Sequence, residues 1–125
     1  MKILHVSITV KDLETSIAFY RDIMGLDFLF SKEIPENKAD IAFLRDKESG
    51  AQIELTYWKE KEDWTEGDEL DHIAFEVPNM EEAIEKFQQK NVEIALQPYS
   101  LKGSKTRIAF IKDPNGIWLE IIEKK

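Results

Sequence analysis

A chain of 125 residues has the size of one domain and can bury roughly two-thirds of the surface its unfolded form exposes. It contains no cysteine, which excludes disulfides, thiolate metal ligands and a cysteine nucleophile, and its formal charge of -8 comes without a basic stripe, which argues against nucleic-acid binding. No apolar run approaches membrane-spanning length, and residues 1–10 are broken by polar side chains too early for a signal-peptide core, so a soluble, cytoplasmic protein is expected.

Residues 1–10 alternate, with Leu4, Val6, Ile8 and Val10 on one face and His5, Ser7 and Thr9 on the other, the pattern of a half-buried strand. Asp12 then caps a predicted helix over residues 12–24, whose apolar positions are Leu13, Ile17, Tyr20, Ile23 and Met24, and Gly25 supplies a left-handed stop. A strand is expected at residues 26–30, a loop around Pro35-Glu36-Asn37, and then a hairpin over residues 41–55, IAFLRDKESGAQIEL. Lys59 to Asp71 carries two Lys against seven Asp or Glu and reads as a solvated linker. The order then restarts: a strand at residues 70–77, a helix at residues 79–90 with Met80, Ala83, Ile84 and Phe87 on its apolar stripe, a strand at residues 92–96 and a loop over residues 97–106. The last hairpin, residues 108–122, IAFIKDPNGIWLEII, turns at Asp113-Pro114-Asn115-Gly116, where Pro presets φ and Asn and Gly tolerate positive values.

The two halves overlay at an offset of 67, placing His5 on His72, Val10 on Val77 and Ala42-Phe43 on Ala109-Phe110; past the turn the offset becomes 66 and Glu54 meets Glu120. This implies an internal duplication of a β-α-β-β-β unit, with repeats at about residues 1–58 and 70–125 in a single α+β domain. Each unit puts a His in its first strand and a Glu in its last. By strand parity all four side chains face away from the neighbouring aliphatics. A lone strand His is usually structural, and a lone strand Glu can pair with a cation such as Arg45 or Arg107. Four polar residues repeated with two-fold regularity instead call for a common partner, because an unpaired buried carboxylate costs several kcal/mol. Two imidazoles and two carboxylates make a hard-to-borderline site suited to Ni, Co, Zn, Mn or Fe, with waters completing five or six positions. Trp118 shares parity with Glu120, and Phe43 with Arg45; either could line an apolar pocket, with ordinary core packing the favoured expectation.

At these residues the chain resembles the vicinal oxygen chelate superfamily. The segments LHVSITVKDLETSIAFYRDIMGL, IELTY, LDHIAFEV and IAFIKDPNGIWLEIIE are similar specifically to glyoxalase I, and the resemblance covers nearly the whole chain. It implies curved mixed sheets around a metal cleft and a divalent ion held by His5, Glu54, His72 and Glu120. The compact length resembles the Ni- or Co-activated members, with Zn an alternative. The implied reaction isomerises the hemithioacetal of methylglyoxal and a thiol to an S-lactoyl thioester: the metal acidifies the C1–H, a glutamate removes that proton and the enediolate is reprotonated at C2. Glu120 is the expected base and Glu54 the partner carboxylate. The resemblance also implies a homodimer in which His5 and Glu54 of one chain meet His72 and Glu120 of the other.

Glutathione-using members commonly carry Arg where this chain has Thr9 and Asn where it has Trp58, so the thiol is either glutathione bound differently or another thiol. Lys102 and Lys105 flank Gly103 in a loop of lid-like composition, with Arg107 just beyond; they are candidates to meet a substrate carboxylate, against a plain exposed lysine loop. Two other functions stay open. An epimerase resembling methylmalonyl-CoA epimerase would use the same enolate logic but is expected to place Gln at one ligand position. A metal-free binding module of the superfamily would lack the ligand set.

Overall fold

Alternating β-branched and aromatic residues bounded by Asp/Gly turns produce two four-stranded sheets in the computed structural model, which describes residues 1–63, 70–100 and 102–124. The chain divides into two units, Met1–Thr65 and Glu66–Lys125. Residues 64–69, which include Trp64 and the centre of the expected acidic linker, lie outside the described residues.

The first unit contains β1 (Val6–Thr9), α1 (Leu13–Ala18) continued by a π-helical turn (Phe19–Ile23), β2 (Asp27–Ile34), a 3₁₀ turn (Pro35–Asn37), β3 (Ala39–Arg45) and β4 (Gln52–Trp58). Its sheet order is β1-β4-β3-β2, with β1 parallel to β4 and the other two pairs antiparallel. α1 packs on β3 and β4, and the core on that side is Ile8, Val10, Phe19, Tyr20, Leu44 and Leu55. Only the end of the N-terminal alternation is used, since Leu4 and Val6 remain exposed while Ile8 and Val10 are buried. The single helix expected over residues 12–24 changes pitch at Phe19, where Met24 N–H donates to the Phe19 carbonyl five residues back. Of the expected stripe Tyr20 is buried, together with Ser16 and Phe19, while Leu13, Ile17, Ile23 and Met24 are half-buried. β2 runs four residues past the expected end at residue 30, with a register shift between Phe28 and Phe30. Such a bulge breaks the period-2 signal by which a strand is recognised.

The second unit contains β5 (Ile73–Glu76), α2 (Met80–Gln89), β6 (Ile94–Ser100), β7 (Arg107–Lys112) and β8 (Trp118–Glu123), with sheet order β5-β8-β7-β6. It repeats the first unit down to register. Ser7 pairs Glu54 as Ala74 pairs Glu120, and Phe43 pairs Glu54 as Phe110 pairs Glu120. α2 buries Met80, Ile84 and Phe87 of its expected stripe, with Ala83 half-buried, and packs on β6 and β8. β6 extends through residues 97–100, where a loop was expected. Its register shifts twice, and it tolerates Pro98 because it is an edge strand. Both hairpin turns use one device, an Asp accepting from downstream backbone N–H groups followed by a glycine at positive φ: Asp46 with Gly50 at 78°, and Asp113 with Gly116 at 88°.

Helix α1 starts at Asp12, whose carboxylate accepts from the Thr15 hydroxyl and from Thr15 N–H at 2.9 Å. Those hydrogen bonds, the hydroxyl's first, hold its pKa below the ordinary carboxylate value. The folded-state pKa is thus the lower one. The cap's contribution is fully present above the unfolded-state pKa and is lost as pH falls through the folded-state pKa. Asp12→Ala is expected to lower the urea midpoint at neutral pH, and the gap from the wild type to close as the titration is carried into acid. A gap independent of pH would contradict this origin.

Candidate metal centre

β4 and β8 each carry one carboxylate on the face opposite their helix. Ile53 and Leu55 are buried under α1 while Glu54 points the other way; Leu119 and Ile121 are buried on the α2 side while Glu120 does the same. His5 and His72 each lie one residue before the first strand of their unit rather than within it, and both reach their neighbouring glutamate. His5 Nε2 is 3.7 Å from Glu54 Oε1, and His72 Nε2 is 2.8 Å from Glu120 Oε2. The carboxylate side chains are 18% and 15% exposed against 35% and 33% for the imidazoles, so the oxygens are the better shielded from water.

Neither arginine considered as a cation partner takes that role. Arg107 is ion-paired to Glu81 of α2, an interaction that raises its pKa, and among the described residues no ion pair joins Arg45 to Glu54. Arg107 lies opposite Glu123, on the helix side of β7, and is turned away from the Glu120 face. Lys102 and Lys105 are exposed in the loop before β7, and Thr9 lies beside Thr56 at the exposed end of β1. Trp58 lies on the Glu54 face, two rows along β4.

Phe43 and Trp118, expected as core, are half-buried on the carboxylate faces. Phe43 meets the His5 ring edge-on with centroids 4.9 Å apart, and Phe110 meets His72 in the same way at 5.6 Å, with Trp118 against Phe110 at 5.5 Å. The aromatics thus brace the imidazoles. Sequence reading also passed over Asp71, whose carboxylate lies 2.8 Å from His72 Nδ1. An Asp directly before a strand His was the available signal. His72 thus lies between two carboxylates, Asp71 at Nδ1 and Glu120 at Nε2; the tautomer with its proton on Nδ1 directs the Nε2 lone pair at the Glu120 side, the arrangement that orients metal-bound histidines.

The donor chemistry fits a divalent ion. In the tautomer with Nδ1–H directed to Asp71, Nε2 and Glu120 Oε2 are two acceptors 2.8 Å apart, a pair that a metal ion between them would satisfy. Neighbouring ligands on an ion with bonds of about 2.0–2.2 Å lie roughly 3–3.5 Å apart, close to the separations within the two pairs. Among the described residues no group of three or more potential metal-binding side chains is gathered, so the donors come as two pairs, one in each unit. No described helix is long and apolar enough to cross a membrane.

Residues 2–121 match the family model of the Glyoxalase/Bleomycin resistance protein/Dioxygenase superfamily. The chain belongs to that superfamily. It is 39% identical over 127 residues to the lactoylglutathione lyase of Salmonella typhimurium, covering 100% of this chain and 94% of that one, and 39% identical to the lactoylglutathione lyase of Haemophilus influenzae over the same shares. Among solved structures, glyoxalase I from Zea mays superposes with a TM-score of 0.87 at 29% identity; the match covers 98% of this chain and spans only 44% of the maize chain. The trypanothione-dependent glyoxalase I of Leishmania major gives a TM-score of 0.82 at 28% identity, over 99% of this chain and 87% of that one.

Proposed function

We propose that the protein is a metal-dependent lyase of the glyoxalase I type, isomerising the hemithioacetal of methylglyoxal and a thiol to the S-lactoyl thioester in the cytoplasm. The observation that carries this reading is the His72–Glu120 pair, echoed in register by His5–Glu54, in a chain similar over its whole length to lactoylglutathione lyases. His5, Glu54, His72 and Glu120 would hold one divalent metal, with Ni or Co preferred and Zn possible. The metal when bound supplies Lewis-acid polarisation of the two vicinal substrate oxygens.

The remaining steps belong to the chain's own side chains. Glu120, largely shielded from water, takes the C1 proton and returns a proton at C2, and Glu54 is the partner carboxylate that balances charge. Asp71 keeps the His72 ring fixed, so that Nε2 stays directed at the Glu120 oxygen. Since each unit supplies two donors, a homodimer in which His5 and Glu54 of one chain join His72 and Glu120 of a second would complete two equivalent sites.

Metal analysis of the purified protein, paired with thioester formation from methylglyoxal and added thiols, tests the reading. One divalent ion per four-residue set is expected, with activity abolished by chelation and restored by Ni²⁺ or Co²⁺. Full activity in protein stripped of metal would overturn it.

A further inference from the structure

The glutamate-bearing face of the first unit continues beyond Glu54 into a cavity of about 530 Å³. Its rows follow from register. Phe30, Phe43 and Glu54 lie across the first row, Lys32, Ile41 and Thr56 across the second, and Ile34, Ala39 and Trp58 across the third. Successive rows are two residues apart, so the second begins roughly 7 Å from the Glu54 carboxylate row and the third roughly 13 Å from it. The floor is apolar: Phe30 and Phe43 stack with centroids 5.1 Å apart, and Ile34, Ile41 and Trp58 continue the surface. The polar atoms of Ser7 and Thr56 satisfy each other at 3.0 Å.

Charge is sparse and one-sided. Among the described residues, the first unit lines the cavity with a single cation, Lys32, and a single anion, Glu54, at the reacting end. The neighbouring lysines are occupied elsewhere, Lys59 by Glu33 and Asp40, and Lys38 by Glu60. Lys32 has no ion pair among the described residues; its ammonium lies 5.8 Å from the Phe30 ring, over the cavity's apolar wall. An ammonium held over an aromatic ring beside an apolar floor attracts an anion attached to an apolar body. Away from Glu54, the first unit's lining offers, among the described residues, no carboxylate to receive an ammonium group.

We propose that this cavity selects the thiol part of the substrate, taking an apolar arm that ends in a single anionic group read by Lys32, in preference to a zwitterionic peptide thiol such as glutathione. That the arm belongs to a thiol adduct rests on the lyase reading; the preference for an apolar arm with one anion rests on the first unit's lining of the cavity. Trp58 is the second specificity residue, since it extends the apolar lining into the third row.

Three isosteric probes separate the contributions: the S-methyl ethers of mercaptohexanoate, mercaptohexanol and mercaptohexylamine, titrated into the full-length protein by calorimetry. The carboxylate probe is expected to bind about tenfold more tightly than the ammonium probe, the size of effect a partly exposed charge pair can supply when attraction becomes repulsion. Lys32→Met should bring the three within about twofold of one another, and Lys32→Glu should invert the order. Lys32 is exposed, so both variants should keep the wild-type circular dichroism. Equal binding of the three probes to the wild type, or an order unchanged in Lys32→Met, overturns the proposal.

The free thiols then enter as methylglyoxal adducts with the Ni²⁺-loaded enzyme. A kcat/KM for the glutathione adduct at or above that of the mercaptohexanoate adduct, unchanged in Lys32→Met, overturns the proposed thiol selectivity while leaving the lyase reading standing. Turnover of no adduct with any metal, beside the expected binding order, removes the lyase reading and leaves the cavity's selectivity supported.

Discussion

Glu120→Gln is expected to lower kcat by about 10²–10⁴-fold, the range that a positioned general base contributes, with KM for the hemithioacetal changed far less. The amide has the same shape and cannot accept the substrate proton. Its flanking residues Leu119 and Ile121 are fully buried on the opposite face and fix the backbone, so the fold should be retained. The variant loses an ionic donor, and therefore metal content must be measured with the rate: a loss of turnover with the ion still bound isolates the proton-transfer role. Glu54→Gln serves as the comparison, because its 3.7 Å separation from His5 makes the same type of pair in the other unit. If Glu120→Gln keeps full activity with metal bound, while Glu54→Gln loses it, the base lies on β4 and the roles of the two carboxylates are exchanged.

The repeat was legible because both halves keep one register. His5 and His72, Phe43 and Phe110, and Glu54 and Glu120 recur at offsets of 67 or 66 in the sequence, and each pair occupies the same place in its own unit. Side-chain direction in β4 and β8 followed from the two-residue period, since each strand runs without a bulge between aliphatics that its helix covers. Where the period breaks, so did the reading. The register shifts in β2 and β6 hid the true lengths of both edge strands, and with β2 the placement of Lys32 beside Ile41. Arg107 was grouped with the preceding lysine loop. Counting parity back from Phe110 would have put it on the helix side, where Glu81 holds it. For Phe43 and Trp118 core packing was favoured over pocket lining because apolar character alone does not tell a helix-covered face from one left open beside a functional pair.

Glu123→Ala is expected to lower stability by about 3 kcal/mol, combining a buried N–H left without its charged acceptor with loss of an anion at a helix N-terminus. Glu123 lies three residues beyond Glu120 on β8, an odd spacing that turns it to the helix face, where it is 2% exposed. Its Oε2 accepts from Met80 N–H, the first residue of α2, at 2.7 Å. It thereby ties the end of β8 to the start of the helix that covers Leu119 and Ile121. For a chain of this length the loss corresponds to a melting midpoint lower by roughly 10 °C. Glu123→Gln retains an acceptor for Met80 N–H and should cost less than half as much. The readout that separates the two glutamates is activity per folded molecule, measured well below the midpoint. Glu123→Ala should retain most of the wild-type kcat there, and Glu120→Gln should melt near the wild-type midpoint with its turnover gone. A Glu123→Ala protein that melts at the wild-type midpoint would show that the strand-to-helix tie contributes little, and the covering of the Glu120 strand would then rest on Met80, Ile84 and Phe87 packing against it.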